Sequence, residues 1–282
     1  MYQPLAIKRL ILDRRLVNAG RMSRTLALIT GASSGIGAAY ARLLASYCDF
    51  VLVARRVDRL NELAAELREA GAAVDVLPAD LSTHDGLDAV THRLATGDVR
   101  LLICNAGVGG FAPLTDIDAV EIDRLLTLNA VGPMRLVRAA LPGMLAAGEG
   151  TVITLASLLA FSAGQEMPIP RTLYAGAKAA TVAFTRTLTH ELAGTGVHAQ
   201  VVCPGVVATE FHDGFGQGYP AAMTAEGVAH ASLAGVRLGE SVCVPGLEDQ
   251  AAALDALLTG ESALLTGNHS SPAARYGHLP VA

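Results

Sequence analysis

A short apolar run, Leu26–Thr30, passes straight into Gly31-Ala32-Ser33-Ser34-Gly35-Ile36-Gly37 and then into a helical pattern reaching about Tyr47. A strand, a glycine turn and a helix in immediate succession leave few folds open. Glycines at 31, 35 and 37 let the main chain come close to a pyrophosphate, and the N–H groups of the helix start point at the anion. A glycine motif alone carries little weight, but one set between a strand and a helix is specific. Ser33, Ser34 and Ile36 complete the turn and are read with the three glycines as positions that hold a nucleotide.

The rest of the chain repeats the alternation. Apolar strand patterns at Phe50–Ala54, Ala73–Leu77, Leu101–Cys104, Thr151–Leu155 and Ala199–Cys203 are separated by helical stretches. One of these, Asp58–Gly71, carries Leu60, Leu63, Ala64 and Leu67 on one face and closes on glycine. A long helix is expected from about Ala119 through Asn129 to Leu141, and another carries Tyr174 and Lys178 to about Leu192. The pattern predicts an α/β fold with a single Rossmann-type doubly wound parallel sheet, helices on both faces and ligands at the carboxyl ends of the strands. The second strand ends in Arg55-Arg56, where dinucleotide folds that take NAD place an acid for the ribose hydroxyls. Arginine there accommodates a 2′-phosphate, which points to NADP.

Composition sets outer bounds. The 282 residues suffice for one large α/β domain, and 51% hydrophobic against 17% charged residues predicts an ordered, globular chain. A net charge of −5 and the lack of a large basic block argue against nucleic acid as a partner. Cys48, Cys104, Cys203 and Cys243 show no metal-finger spacing and read as buried, reduced thiols of a cytoplasmic protein; no metal is expected. Residues 1–24 stand apart, with six basic residues, Lys8, Arg9, Arg14, Arg15, Arg21 and Arg24, against Asp13. Their apolar residues are too few and too interrupted to span a bilayer or form a secretory core. A mobile leader, a docking arm or sequence upstream of a start at Met22 is favoured over a membrane-surface helix. The main domain is placed at 25–282, with a polar tail from about 266.

Tyr174-Ala175-Gly176-Ala177-Lys178 carries the most specific chemistry. The chain has two lysines against nineteen arginines, so lysine at 178 reads as a choice of chemistry and not of generic charge. Four residues apart on a helix, a phenol and an ammonium share a face, within roughly 6 Å at Cβ. At an effective dielectric of ~20, attraction across ~4 Å is on the order of 4 kcal/mol before desolvation, so the lysine is expected to lower the phenol's pKa and fit it for acid–base work.

Taken together, Thr30–Gly37, Asp80, Asn105-Ala106-Gly107, Asn129, Ser157, Tyr174–Lys178 and Pro204-Gly205, in that order, resemble the classical short-chain dehydrogenases/reductases over roughly residues 25–246. The resemblance implies Tyr174 as proton donor to a substrate carbonyl. Lys178 would lower its pKa and bond the nicotinamide ribose, Ser157 would bond the substrate oxygen, and Asn129 would kink its helix and hold a water in the proton relay. Asp80 would bind the adenine amino group beside Leu81, with Asn105, Ala106 and Gly107 lining the adenosine pocket. After Pro204 and Gly205, the Val207 main chain and the Thr209 hydroxyl would fix the carboxamide. The interval between Ser157 and Tyr174 is longer than usual in the family, which makes Ser162 a competitor for the serine role. The glycine-rich C-terminal ending of many tetrameric relatives is missing: a final strand at Ser241–Pro245 and a helix from Leu247 to about Leu265 take its place. A homodimer is therefore the expected assembly, with the tetramer left open.

Residues 208–223, with Phe211, His212, Phe215, Tyr219 and glycines at 214, 216 and 218, read as a lid over a mainly apolar organic substrate. The leading expectation is an NADP(H)-dependent carbonyl reductase or alcohol dehydrogenase acting on a small to medium ketone, aldehyde or secondary alcohol. A non-catalytic NADP-binding regulator or scaffold is the alternative, and an epimerase or dehydratase of the same family ranks below it.

Overall fold

The computed structural model describes residues 24–277, which form two compact units divided between Gly246 and Leu247. In the first unit, β1 (Thr25–Thr30), α1 (Gly35–Leu44), β2 (Cys48–Ala54), α2 (Val57–Glu69), β3 (Val74–Pro78), α3 (His84–Leu94) and β4 (Leu101–Cys104) are followed by α4 (Ala119–Leu126), α5 (Gly132–Ala147), β5 (Gly150–Leu155), α6 (Thr172–Glu191), β6 (Val197–Val202), α7 (Ala225–Leu238) and β7 (Val242–Cys243). The seven strands form one parallel sheet in the order β3-β2-β1-β4-β5-β6-β7. The second unit consists of α8 (Gln250–Thr266) and a final turn at Ala274–Tyr276.

The central strands bury both of their faces, because successive side chains point to opposite sides, whereas the edge strand β3 is only partly covered. Ala27, Ile29, Phe50 and Leu52 meet Tyr40, Leu44, Leu60 and Val228 on one side of the sheet. Leu28, Val51, Val53 and Leu102 meet Leu87, Leu94, Leu136 and Met144 on the other. Leu28, Leu52 and Leu102 have no exposure at all, and full burial of each such side chain is worth about 1.5–3 kcal/mol. The chain leaves β1 toward β2 on one side and returns to β4 on the other. A crevice therefore opens at the carboxyl ends of β1 and β4, where such folds bind ligands.

Four expectations are revised. The helix through Asn129 does not stop at Leu141: it passes through a π turn at Thr127–Val131 and runs to Ala147 with Pro142 inside it, ending where Gly148 takes φ 66°. Proline removes one hydrogen bond from a helix without removing its packed face, and Leu136, Ala140 and Met144 keep that face buried on the sheet. The last strand is only Val242–Cys243, paired with Val201 and Val202 before Pro245 ends the ladder. Helix α8 starts at Gln250, not Leu247, because the Asp249 carboxylate caps it by accepting from the Ala252 amide at 3.1 Å. Arg24, counted above with the basic arm, belongs to the folded unit: it donates to Asp49 Oδ1 at 2.9 Å and to the Cys48 carbonyl at 2.6 Å, and also bonds the Ala45 carbonyl. The remaining expectations for that arm, at 1–23, lie outside the described residues. Among the described residues no helix is long and apolar enough to cross a membrane, and Cys48, Cys104, Cys203 and Cys243 are free and buried.

Candidate active site

The glycine turn between β1 and α1 is held from beneath by Thr30 and Asn105. Buried Thr30 accepts at its hydroxyl from the Asn105 and Ala106 amides, at 2.9 and 3.0 Å. Asn105 Nδ2 donates to the Thr30 and Gly31 carbonyls, at 2.9 and 3.3 Å. Asn105 therefore spends its side chain on the turn and lines the crevice with main chain. A Cβ on Gly37 would lie 2.5 Å from the Gly31 carbonyl oxygen and 2.6 Å from Asn105 Nδ2, so only glycine lets α1 start this close to β4. Gly37→Ala is expected to cost about 1–3 kcal/mol through overpacking and to displace the turn. Thermal melting with and without nucleotide checks this: a lower Tm together with a lost nucleotide-induced rise is the expected result.

Arg55 and Arg56 diverge. Arg55 reaches toward Asp80, Nη1 to Oδ2 3.9 Å, while Asp80 Oδ1 accepts from the Ser82 amide and hydroxyl at 2.9 and 2.7 Å. Although partial burial opposes it, the carboxyl of Asp80 is held below its usual range by the two Ser82 bonds and the Arg55 charge. Arg56 folds back over the turn, donating to Ser33 Oγ at 3.2 and 3.1 Å and to Ser34 Oγ at 2.6 Å. Leu81 is packed in the core, leaving only its main chain for a ligand.

On α6, Tyr174, Lys178, Thr181 and Thr185 form one inward stripe and are all buried. Lys178 Nζ donates to the Leu155 carbonyl at 2.9 Å and lies 5.8 Å from the centre of the Tyr174 ring. Thr181 donates to the Asn129 carbonyl at 2.8 Å, and Thr185 meets Thr154 at 2.8 Å, which pins the stripe to the π turn and to β5. The expected kink at Asn129 is thus a π turn, a common feature of functional sites. The fully buried Asn129 side chain accepts from the Val108 amide at 3.1 Å and donates to its carbonyl at 2.8 Å. It positions the loop after Asn105-Ala106-Gly107. Gly107 passes so close that a Cβ there would lie 2.8 Å from Asn129 Oδ1.

The expected effect of Lys178 on Tyr174 is not what the geometry produces. Burial pushes the Tyr174 phenol up to about 12, opposed by its hydrogen bond with Ser157, and burial pushes the Lys178 ammonium down to about 8. Desolvation outweighs attraction because the ammonium is turned to the Leu155 carbonyl and not to the phenol. Burial therefore favours the neutral form of the Tyr174 phenol.

Ser157 follows β5 directly and accepts from the Leu159 amide at 3.2 Å. Ser162 is turned away: its hydroxyl donates to the Leu159 carbonyl at 2.8 Å and accepts from Arg171 Nε at 2.8 Å. Arg171 also donates to the Ser162 and Gln165 carbonyls, so the long interval before Tyr174 is a loop tied to one guanidinium. The Pro204 carbonyl accepts from the Leu158 amide at 2.9 Å, which joins Pro204-Gly205 to the Ser157 turn.

The loop from Ala208 closes at its base by a parallel bridge between Val207 and Met223. Its start sits on the glycine turn: a Cβ on Gly35 would lie 3.1 Å from the Thr209 methyl. Phe211 and Phe111 stand 6.1 and 4.9 Å from Tyr174 between ring centres, and His212 packs on Phe111 at 4.6 Å. Phe215 and Tyr219 extend the aromatic surface outward. Phe111 and Glu210 escaped the sequence reading. Phe111 carried a faint signal, an aromatic after two glycines just past Asn105-Ala106-Gly107, whereas nothing local marked Glu210, whose partners lie about 150 residues away.

Whether this crevice fits a dinucleotide can be judged from its own atoms. The turn has no room for side chains at Gly31 or Gly37, the Ser34 side chain caps no amide of α1, and a carboxylate, that of Glu210, already sits on Arg56 and Arg59. Bare helix-start amides beside guanidinium groups suit phosphate oxygens, so the residues fit the group. Among the described residues no cluster of three or more His, Cys, Asp or Glu is placed to hold a metal.

Comparison with known proteins agrees with this geometry. The short chain dehydrogenase family model matches residues 25–219. An uncharacterized oxidoreductase of Staphylococcus epidermidis is 31% identical over 214 residues, 75% of this chain and 90% of its own. A short-chain dehydrogenase from Sphingobium yanoikuyae, solved in complex with NADPH, is 35% identical with a TM-score of 0.82, covering 89% of this chain and 98% of its own. A bulky-bulky ketone specific alcohol dehydrogenase from Comamonas testosteroni is 30% identical, also with a TM-score of 0.82, covering 92% of this chain and 100% of its own.

Proposed function

The chain belongs to the short-chain dehydrogenase/reductase family of oxidoreductases, and from that premise we propose that it is an NADPH-dependent reductase of ketones with bulky, largely apolar substituents. The observation that carries the reading is the meeting of Ser157 and the protonated Tyr174 at the end of β5, flanked by Phe111 and Phe211. NADPH, when bound, supplies the hydride. Arg55 and Arg56 would hold its 2′-phosphate, the glycine turn would take its pyrophosphate, and Asp80 with the main chain of Asn105, Ala106 and Gly107 would border the adenosine. Lys178 would bond the nicotinamide ribose, and Val207 and Thr209 would orient the carboxamide.

Ser157 and Tyr174 hold the carbonyl oxygen between two hydroxyl groups, and the Tyr174 phenol gives that oxygen its proton. A phenol kept protonated by burial is already in the form that reduction requires. The phenolate left behind is stabilised by its hydrogen bond with Ser157, and burial drives it to regain a proton. Two neighbouring structures support the specifics, one holding NADPH and one described as specific for bulky-bulky ketones. A homodimer through α4, α5 and α6 is part of the proposal, and Val120 and Val131 offer exposed apolar surface there.

Oxidation of NADPH and of NADH by purified protein, over a panel of ketones, aldehydes, quinones and diketones, tests the reading. Turnover with NADPH and ketones carrying two bulky groups is expected. NADPH binding without turnover across the panel would favour a non-catalytic regulator. Ser157→Ala is expected to lower kcat by about 10²-fold, as loss of a hydrogen bond to the reacting oxygen does. Ser162→Ala should change kcat by less than about twofold and lower Tm through the lost Arg171 tie. The reverse order would move the serine role to residue 162.

A further inference from the structure

Glu210 lies one residue past Thr209, yet its carboxylate is bound far away in the chain, at the start of α2. Arg56 Nη1 donates to Glu210 Oε2 at 2.8 Å, and Arg59 Nη1 donates to Oε1 and Oε2 at 2.7 Å each. The other nitrogens of Arg56 rest on the Ser33 and Ser34 hydroxyl oxygens, which leaves both hydroxyl protons free to face an anion. Two guanidiniums, two serine hydroxyls and the start of α1 thus converge on one place, and the carboxylate bonded to both guanidiniums is a side chain of the aromatic loop, with Glu62 near enough to act on Arg59 as well. That loop is strained directly beyond Glu210: His212 and Asp213 have φ of 51° and 55°, a region that side chains other than glycine rarely enter, and Gly214 follows at 76°. One side of the strained turn is held by the contact of His212 with Phe111, the other by Glu210.

We propose that Glu210 is an internal competitor for the 2′-phosphate of NADP(H): the phosphate displaces its carboxylate from Arg56 and Arg59, and the turn at 210–214 is thereby released from the glycine turn. The inference rests on the NADP(H) reading above. Its physical basis is charge. Two guanidiniums carry +2, and a phosphate monoester brings about −1.5 to −2 at neutral pH, which satisfies them without the carboxylate. Keeping Glu210 in place would set two anions against each other at hydrogen-bond range, a repulsive arrangement. NAD(H) lacks the phosphate and leaves the latch closed, so the two cofactors differ in the state in which they leave the loop as well as in affinity.

The test uses the full chain. Dissociation constants of NADPH and NADH are measured by fluorescence titration for the wild type, Glu210→Gln and Glu210→Asp, and amide hydrogen exchange of residues 209–215 is followed with adenosine 2′-monophosphate or adenosine 5′-monophosphate. Removing an exposed competing ion pair should tighten NADPH by about fivefold, with NADH changed less than about twofold and the Asp variant between wild type and Gln. In the wild type, adenosine 2′-monophosphate should speed exchange at the Phe211 and Gly214 amides, which are bonded at 3.3 Å each, and adenosine 5′-monophosphate should not. Weaker NADPH binding by Glu210→Gln would overturn the proposal by making Glu210 an orienter of the arginines, and unchanged affinity with unchanged exchange would reduce it to a surface ion pair. Wild-type protein that binds NADPH no tighter than NADH would overturn the NADP(H) reading itself, a result distinguishable from either.

Discussion

Tyr174→Phe is expected to abolish ketone reduction, lowering kcat by about 10²–10⁴-fold, the range spanned by a positioned general acid, while the dissociation constant of NADPH changes by less than about twofold. The substitution removes one oxygen and leaves the ring with its neighbours Phe111 and Phe211, at centroid distances of 4.9 and 6.1 Å, so the pocket keeps its shape. Tyr174 is buried on the stripe it shares with Lys178, Thr181 and Thr185, whose bonds to Leu155, Asn129 and Thr154 do not involve the phenol. Stopped-flow single turnover, with NADPH titrated separately by fluorescence, distinguishes a lost proton donor from a damaged fold. A variant that retains activity would transfer the acid role to another group, and Ser157 is the nearest hydroxyl.

Replacing Arg55 and Arg56 together by alanine is expected to weaken NADPH by about 10²-fold, since each hydrogen bond to a charged group is worth about 1.5–3 kcal/mol and two such groups are lost. NADH should change by less than about threefold, because the glycine turn, Asp80 and the β4 end remain. Of the single variants, Arg56→Ala is expected to be the more disruptive: Arg56 braces Ser33 and Ser34, whereas Arg55 is two-thirds exposed and reaches only toward Asp80 at 3.9 Å. Equal losses for the two nucleotides would place the 2′-phosphate elsewhere. Isothermal titration with both nucleotides against all three variants decides the matter.

Much of the protein is legible before folding wherever the controlling interaction is local in sequence. Glycine spacing between a strand and a helix reports a turn whose main chain must pass close to its surroundings, and the observed closeness of Gly37 to the Gly31 carbonyl is that requirement seen in space. The four-residue step from Tyr174 to Lys178 reports a shared helix face, which α6 buries as expected. Strand alternation is likewise enough to foresee a parallel sheet with two buried faces. The end of the helix at Ala147, by contrast, was hidden because proline penalises one backbone bond while the packing of Leu136, Ala140 and Met144, contributed by the sheet, outweighs it.

Properties that depend on distant partners came only with the fold. The Tyr174 phenol is pushed up by burial against its hydrogen bond with Ser157, while Lys178 turns to the Leu155 carbonyl, and neither follows from a spacing of four. The engagement of Ser162 by Arg171, which leaves Ser157 the freer of the two serines proposed for the carbonyl, came from a partner nine residues away. The seat of Glu210 on Arg56 and Arg59 joins residues some 150 positions apart. Local periodicity records which faces a segment must bury. Charge placement in the crevice is set by which segments the sheet brings together, and that information is spread over the whole chain.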